Sequence, residues 1–149
     1  MLRDASLIPL SHQHHNGLAL CVLTRRSLSR DHSAANIARL AGRAIERYEI
    51  ELANHFEIEE QVLFPACSEL PIVGQLLREH RAFEALIGRL RTEPSAALLE
   101  ELCELLTTHI RREERELFET VQRTLPRDVL DTIGREIDTR AVRVCLNPD

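Results

Sequence analysis

A ten-residue pattern occurs twice in this chain, at 55–64 and again at 109–118. Each copy has a His, a Glu four residues later, a second Glu directly after it, and then Leu and Phe at the eighth and ninth positions after the His. Residues four apart on an α-helix point in similar directions and are near neighbours. The pattern therefore favours two helices, each of which presents a His and a Glu on one side.

Hydrophobic residues recur at helical spacing in four long segments. We expect these helices at about 11–29, 33–66, 71–91 and 95–124. Pro71 can start the third helix, Ser95 can cap the fourth, and Pro126 precedes a shorter fifth helix expected near 127–139. Because short connections make consecutive helices antiparallel neighbours, we predict an all-α, up-down-up-down four-helix bundle at about 7–124, with a short C-terminal fifth helix and a tail.

The composition agrees with one helical, soluble domain. A chain of 149 residues can bury one substantial core, and its 44% hydrophobic but only 3% aromatic residues suit helices better than sheets. The formal net charge of −5 provides no basic field for nucleic acid. Charged residues interrupt every apolar run before the roughly 18 residues that a membrane span needs. We therefore expect a single domain, 1–149, that binds neither nucleic acid nor membrane.

Four cysteines are scattered along the chain, namely Cys21, Cys67, Cys103 and Cys145. None belongs to a Cys-x-x-Cys pair, and no secretory hydrophobic segment precedes them. They are therefore expected to be reduced thiols, which predicts a cytoplasmic protein.

Histidines and glutamates interrupt the apolar faces of the predicted helices. His55 and Glu59 lie on the apolar stripe of the second helix, and His109 and Glu113 lie on that of the fourth. His80 lies on the apolar stripe of the third helix. Each of these three helices is thus expected to send at least one His inward.

The first helix offers two candidate histidines. His15 shares a stripe with Leu18 and Val22, whereas His14 fits almost as well on a stripe with Leu18 and Cys21. We choose His15 as the inward residue and keep His14 as its alternative. Either choice gives all four long helices an inward His.

These inward groups predict a buried metal site. An ionised carboxylate without a partner is expensive to bury, whereas a divalent cation compensates its charge and orients neutral imidazoles. A single His on an apolar face is more often a hydrogen-bonded core residue, and a His and a Glu four apart are common on solvated faces. Inward histidines on all four helices favour metal binding over the alternative of a metal-free helical interaction module.

The order of these motifs resembles that of a hemerythrin-like, HHE cation-binding domain over about residues 7–124. Such domains are four-helix bundles that hold a non-haem di-iron centre, bridged by two carboxylates and usually by an oxo or hydroxo group. The resemblance implies two iron ions, the first held by His15 and His55 and the second by His80 and His109, with Glu59 and Glu113 bridging them. Imidazole and carboxylate also suit iron better than structural zinc, which prefers thiolates.

The chain departs from the five-histidine oxygen carriers of this family on the third helix. Those carriers have a His pair four residues apart there, but this chain has Leu76 four residues before His80 and Glu84 four residues after it. Glu84 is either a seventh protein ligand or a surface acid. Glu60 and Glu114, the second acids of the two copies, are expected outside the ligand set.

The resemblance implies a protein that binds dioxygen, or nitric oxide, for oxygen binding, sensing or storage. The alternative is a di-iron redox or repair protein that handles peroxide or nitric oxide or donates iron to iron–sulfur clusters. We favour a metal- and oxygen-binding protein over an enzyme. The chain also contains no nucleophilic triad, phosphate-binding loop or His-Glu-x-x-His motif.

Overall fold

The computed structural model describes residues 2–144, which fold into helices joined by short connections. A 3-10 turn, Ala5–Leu7, precedes five helical segments. These are α1 (Ile8–Arg30), α2 (34–67), α3 (Pro71–Thr92), α4 (96–124) and α5 (Arg127–Arg140). The predicted all-α fold with five helices is confirmed. Among the predicted helix boundaries, the largest error is at the start of α1, which was expected near residue 11. The helix begins at Ile8, because Pro9 is tolerated in a first helical turn.

The predicted helix starts have the expected local chemistry. Ser95 accepts a hydrogen bond from the backbone N–H of Leu98 at 3.1 Å, so it caps α4. Pro71 is the first residue of α3, where its missing N–H is not needed. Ser33 caps α2 in the same way as Ser95, by accepting from the N–H of Asn36.

Two of the long helices change their winding along their length. α2 consists of α-helix Ala34–Arg47, π-helix Tyr48–Leu52, α-helix Ala53–Ile58, π-helix Glu59–Leu63 and 3-10 turn Phe64–Cys67. α4 consists of α-helix Ala96–Arg112, π-helix Glu113–Leu117 and α-helix Phe118–Thr124. A π-turn therefore starts at Glu59 and at Glu113, the first acid of each copy of the repeated pattern. Such turns are rare and occur frequently at functional sites.

The four long helices enclose one interior. α1 contacts α2 and α4, and α3 also contacts both of them. α5 packs across the N-terminal 3-10 turn. Gly134 permits this packing, because a Cβ there would lie 2.9 Å from the Cα of Ser6.

The apolar part of the interior forms two separate clusters. Cluster I includes Leu20, Leu40, Leu52, Phe83, Leu99 and Leu106. Cluster II includes Leu10, Leu63, Phe64, Leu76, Leu117 and Phe118. A polar layer lies between the clusters and contains His14, His55, Glu59, His80, His109 and Glu113. On α3, for example, Leu76 of cluster II and Phe83 of cluster I lie on either side of His80 in the sequence.

Among residues 2–144, none of the helices has the length and apolarity that a membrane crossing requires.

Candidate metal centre

The polar layer brings together six ionisable side chains from α1 to α4. None of the six is more than 3% exposed, and Glu59 and Glu113 are fully buried. Burial of an uncompensated carboxylate is unfavourable by several kcal/mol or more. The layer therefore needs a positive partner for its two acids.

The six side chains form two overlapping groups with the spacing of metal ligands. One group is His14, His55, Glu59 and Glu113, and the other is His80, His109, Glu59 and Glu113. In each group the four ligand atoms lie within 4.8 Å of one another. Because both carboxylates belong to both groups, the geometry suits two neighbouring cations with two shared acids.

Each carboxylate lies between imidazoles of the two groups. Oε1 of Glu59 is 3.1 Å from Nε2 of His55 and 3.2 Å from Nε2 of His80. Oε1 of Glu113 is 2.7 Å from Nε2 of His109 and 3.3 Å from Nε2 of His14. The two acids therefore connect the groups in equivalent ways.

Several atoms at the centre of the layer lack a hydrogen bond. Within residues 2–144, no hydrogen-bonding partner is found for Nε2 of His55 and His109 or for Oε2 of Glu59 and Glu113. Nearly all buried polar atoms in proteins have such a partner. These four buried atoms are all possible metal ligands and lie close together, so cations fit as their partners.

The other ring nitrogen of each His is fixed by a partner from a different helix. These Nδ1 contacts are His14 to Glu114 at 2.9 Å, His55 to Gln13 at 2.9 Å, His80 to Glu60 at 2.9 Å and His109 to Glu79 at 2.8 Å. With the proton on Nδ1 donated outward, the lone pair of Nε2 faces the centre of the layer. Metal-binding histidines are typically oriented by outer partners of this kind.

Sequence analysis missed two of these outer partners, Gln13 and Glu79. A signal was present, because each directly precedes an inward His, His14 on α1 and His80 on α3. The partner His lies on another helix in both cases, so the pairing could not be read from spacing within one helix.

The Leu and Phe that end the repeated pattern enclose the layer. The Phe118 ring stacks on His14 with centroids 5.3 Å apart, and the Phe64 ring stacks on His80 at 5.6 Å. Leu63 and Leu117 are fully buried in cluster II. The two copies thus contribute both the ligand groups and the apolar wall beside them.

Burial keeps two of the imidazoles neutral. It lowers the pKa of His14, and it lowers the pKa of His109 to about 3. Burial alone would raise the pKa of Glu59, but the nearby imidazoles of His55 and His80 hold it well below the usual carboxyl value. Neutral imidazoles and an ionised carboxylate are the protonation states that a cation requires.

The choice of His15 as the inward residue of α1 is wrong. His15 is exposed, whereas His14 is buried and belongs to one of the two groups. The stripe of His15 faces outward, since Val22 is 53% exposed. The buried face of α1 instead includes Gly17, where a Cβ would lie 3.2 Å from Cδ1 of Ile110 on α4.

Glu84 does not reach the polar layer and belongs to neither group. Its carboxylate pairs with Arg81 at 2.9 Å and its side chain is 32% exposed. Phe83 takes the inward direction instead and is 1% exposed. The remaining predicted site residues, His55, Glu59, His80, His109 and Glu113, do come together.

Comparison with known proteins gives one family. The model of the hemerythrin HHE cation-binding domain matches residues 6–121, which include the whole polar layer. No curated protein and no solved structure matches the chain significantly.

Proposed function

Since this chain belongs to the hemerythrin HHE cation-binding family, we propose that its polar layer holds two iron ions and that the loaded protein binds dioxygen or nitric oxide. The observation that carries the proposal is the sharing of Glu59 and Glu113 between two groups of ligand atoms. One cation would leave half of the converging imidazoles without a partner. Two adjacent cations use all six side chains.

The chemistry of the donor atoms supports iron. All six side chains supply imidazole nitrogen or carboxylate oxygen, which suit iron, manganese and zinc. The thiols of Cys21, Cys67 and Cys103 lie in the apolar clusters instead, away from the two groups. A structural zinc site would typically include such thiolates.

The number of protein donors supports binding of a small molecule. Each group offers four donor atoms, and iron commonly accepts about six ligands, so positions remain for further ligands. When bound, iron(II) supplies an electron-rich centre for a diatomic molecule. Phe64, Phe118 and the two apolar clusters exclude bulk water from this space. A dry, enclosed site suits the reversible binding of such a ligand.

We also infer that α1 to α4 run up-down-up-down and that the protein resides in the cytoplasm. The first inference is supported by the short connections and by the contacts of α1 and α3 with both α2 and α4. The second is supported by the free thiols of Cys21, Cys67 and Cys103. Cys145 lies outside the described residues.

Iron loading followed by ligand titration tests the proposal. Metal-free protein is loaded anaerobically with iron(II), and iron per chain is measured after removal of unbound metal. We expect about two ions per chain. Nitric oxide is added to one sample and dioxygen to another while the visible and electron paramagnetic resonance spectra are recorded.

Each ligand should change the spectra in a saturable way, at a fixed ratio to bound iron. Glu100→Gln is the control, because this acid lies on the surface in a pair with Arg25. Stoichiometric zinc with no uptake of iron would contradict the di-iron assignment. Catalytic consumption of peroxide, without a stable ligand complex, would favour the redox alternative.

A further inference from the structure

The four inward histidines differ in their outer partners. Three of them contact a carboxylate that is also paired with an arginine. These are His14 with Glu114 and Arg3, His80 with Glu60 and Arg81, and His109 with Glu79 and Arg112. His55 instead contacts the neutral amide of Gln13.

Gln13 and Glu79 occupy equivalent places in the two halves of the layer. Each directly precedes the inward His of its helix, and each contacts the His of the repeated pattern on another helix, His55 or His109. Glutamine and glutamate have almost the same size and shape. The two halves therefore differ in charge at this place, although the side chains that contact the two histidines have the same length.

Surrounding hydrogen bonds fix the orientation of the Gln13 amide. Its Nε2 donates to Oδ1 of Asn54 at 3.0 Å and to the backbone carbonyl of Val142 at 3.4 Å. Asn54 in turn donates to the carbonyl of Arg140, which sets the direction of its own amide. Oε1 of Gln13 is thus left to accept from Nδ1 of His55, as a neutral acceptor.

A carboxylate acceptor increases the electron density on the imidazole more than an amide does. Outer partners of this kind typically change metal affinity by about 10-fold to 100-fold. Arg112 offsets part of the charge of Glu79, but the carboxylate is in direct contact with His109 and the arginine is behind it. The group with His80 and His109 has two carboxylate-backed imidazoles, and the group with His14 and His55 has one.

We propose that the two cation positions are unequal, and that Glu79 makes the position at His80 and His109 the one that fills first. Gln13 is the positioning residue that keeps the position at His14 and His55 weaker. The inference rests on the proposed function because it needs two cations, but it does not depend on which divalent metal binds.

A titration with cobalt(II) tests the proposal on the full-length, metal-free chain. Cobalt(II) accepts the same ligands as iron(II), and its visible absorption reports its coordination. In the unaltered protein we expect two binding steps whose dissociation constants differ by about 10-fold or more. Isothermal titration calorimetry and visible absorption should give the same two steps.

A single exchange at either outer partner should remove the difference between the two binding steps. Glu79→Gln should weaken the tight step about 10-fold to 100-fold, so that the steps merge. Gln13→Glu should tighten the weak step by a similar factor. This gain cannot result from damage to the fold. Glu100→Gln serves as the matched acid-to-amide control and should leave both steps unchanged.

Variants that each lack one metal-binding histidine show which binding step belongs to which cation position. His109→Ala should remove the tight step, and His55→Ala should remove the weak one. Two equal steps in the unaltered protein, or equal weakening of both steps by Glu79→Gln, would overturn the inequality but leave the two-ion proposal intact. Failure of the unaltered protein to bind cobalt(II) or iron(II) would overturn both.

Discussion

Clusters I and II and the polar layer between them are all buried, but they contribute to stability in different ways. The clusters consist of side chains such as Leu99 and Leu76, which gain free energy when they leave water. The layer consists of imidazoles and carboxylates, which lose hydration on burial and need a partner. The comparison indicates that apolar packing specifies the fold, while the layer needs a positive partner that packing alone does not supply.

Removal of a shared acid should break the layer and spare the clusters. Glu59→Gln takes a charged donor from both groups, so we expect iron content to fall from about two ions per chain to well below one. Glu60→Gln alters only an outer partner of His80 and should weaken affinity about 10-fold to 100-fold, with iron still bound at saturating metal. Metal analysis after loading distinguishes the two variants. Equal iron contents in both would contradict the inward assignment of Glu59.

Metal removal should lower the stability of the whole bundle. A ligand that binds only the folded state stabilises it by about 4 kcal/mol at 1,000 times its dissociation constant. For a chain of this size the melting temperature should fall by roughly 10 °C when a chelator removes the metal. Differential scanning calorimetry with and without chelator measures this shift, and an unchanged melting temperature would show that the layer is stable without cations.

Truncation of a cluster side chain should act independently of metal. Leu99→Ala in cluster I and Leu76→Ala in cluster II should each lower the free energy of unfolding by about 3 kcal/mol, because both residues are fully buried. Urea unfolding with and without metal should give the same loss. A loss that disappears in the metal-free protein would show that the clusters and the layer are not separate.

Acid should destabilise the metal-free layer. The pKa of His109 is lowered to about 3 in the folded chain, whereas an unfolded His has a pKa of about 6.5. Between these values the unfolded chain binds more protons, so the free energy of unfolding falls as the pH decreases from about 6.5. Each such His contributes at most about 1.4 kcal/mol per pH unit.

In the metal-free protein, His109→Leu should reduce the number of protons taken up on unfolding by about one, which lowers the slope of the free energy of unfolding against pH. The pH dependence of urea unfolding measures it. Equal slopes for the variant and the unaltered chain would contradict the neutral state of His109.

Most of the helical fold followed from the sequence, because the four long apolar stripes have the spacing of α-helices. Five of the six side chains in the polar layer followed for the same reason. The sixth did not, since His14 and His15 both share a stripe with Leu18, and the choice depends on the close approach of Gly17 to α4. Such contacts between distant segments are not visible in the periodicity of one helix.

Two of the four outer partners, Gln13 and Glu79, and the π-turns were also missed. The pairs of Gln13 with His55 and of Glu79 with His109 join different helices, so they depend on how the bundle is assembled. The π-turns depend on which backbone carbonyl each N–H reaches, and an apolar stripe changes little when one turn is widened. Glu84 was ambiguous because Phe83 competes for the same inward direction.

The π-turns at Glu59–Leu63 and Glu113–Leu117 each hold about one residue more than ordinary α-helix places in the same turn. Because a π-turn takes up its extra residue locally, deletion of one residue there would restore α-helix and leave the segments before and after it in nearly the same orientation. The same deletion within the ordinary α-helix Ala96–Arg112 would rotate everything after it by about 100° relative to everything before it. The two π-turns are therefore the places where these helices can lose a residue with the least rotation of Phe64 and Phe118 relative to His55 and His109.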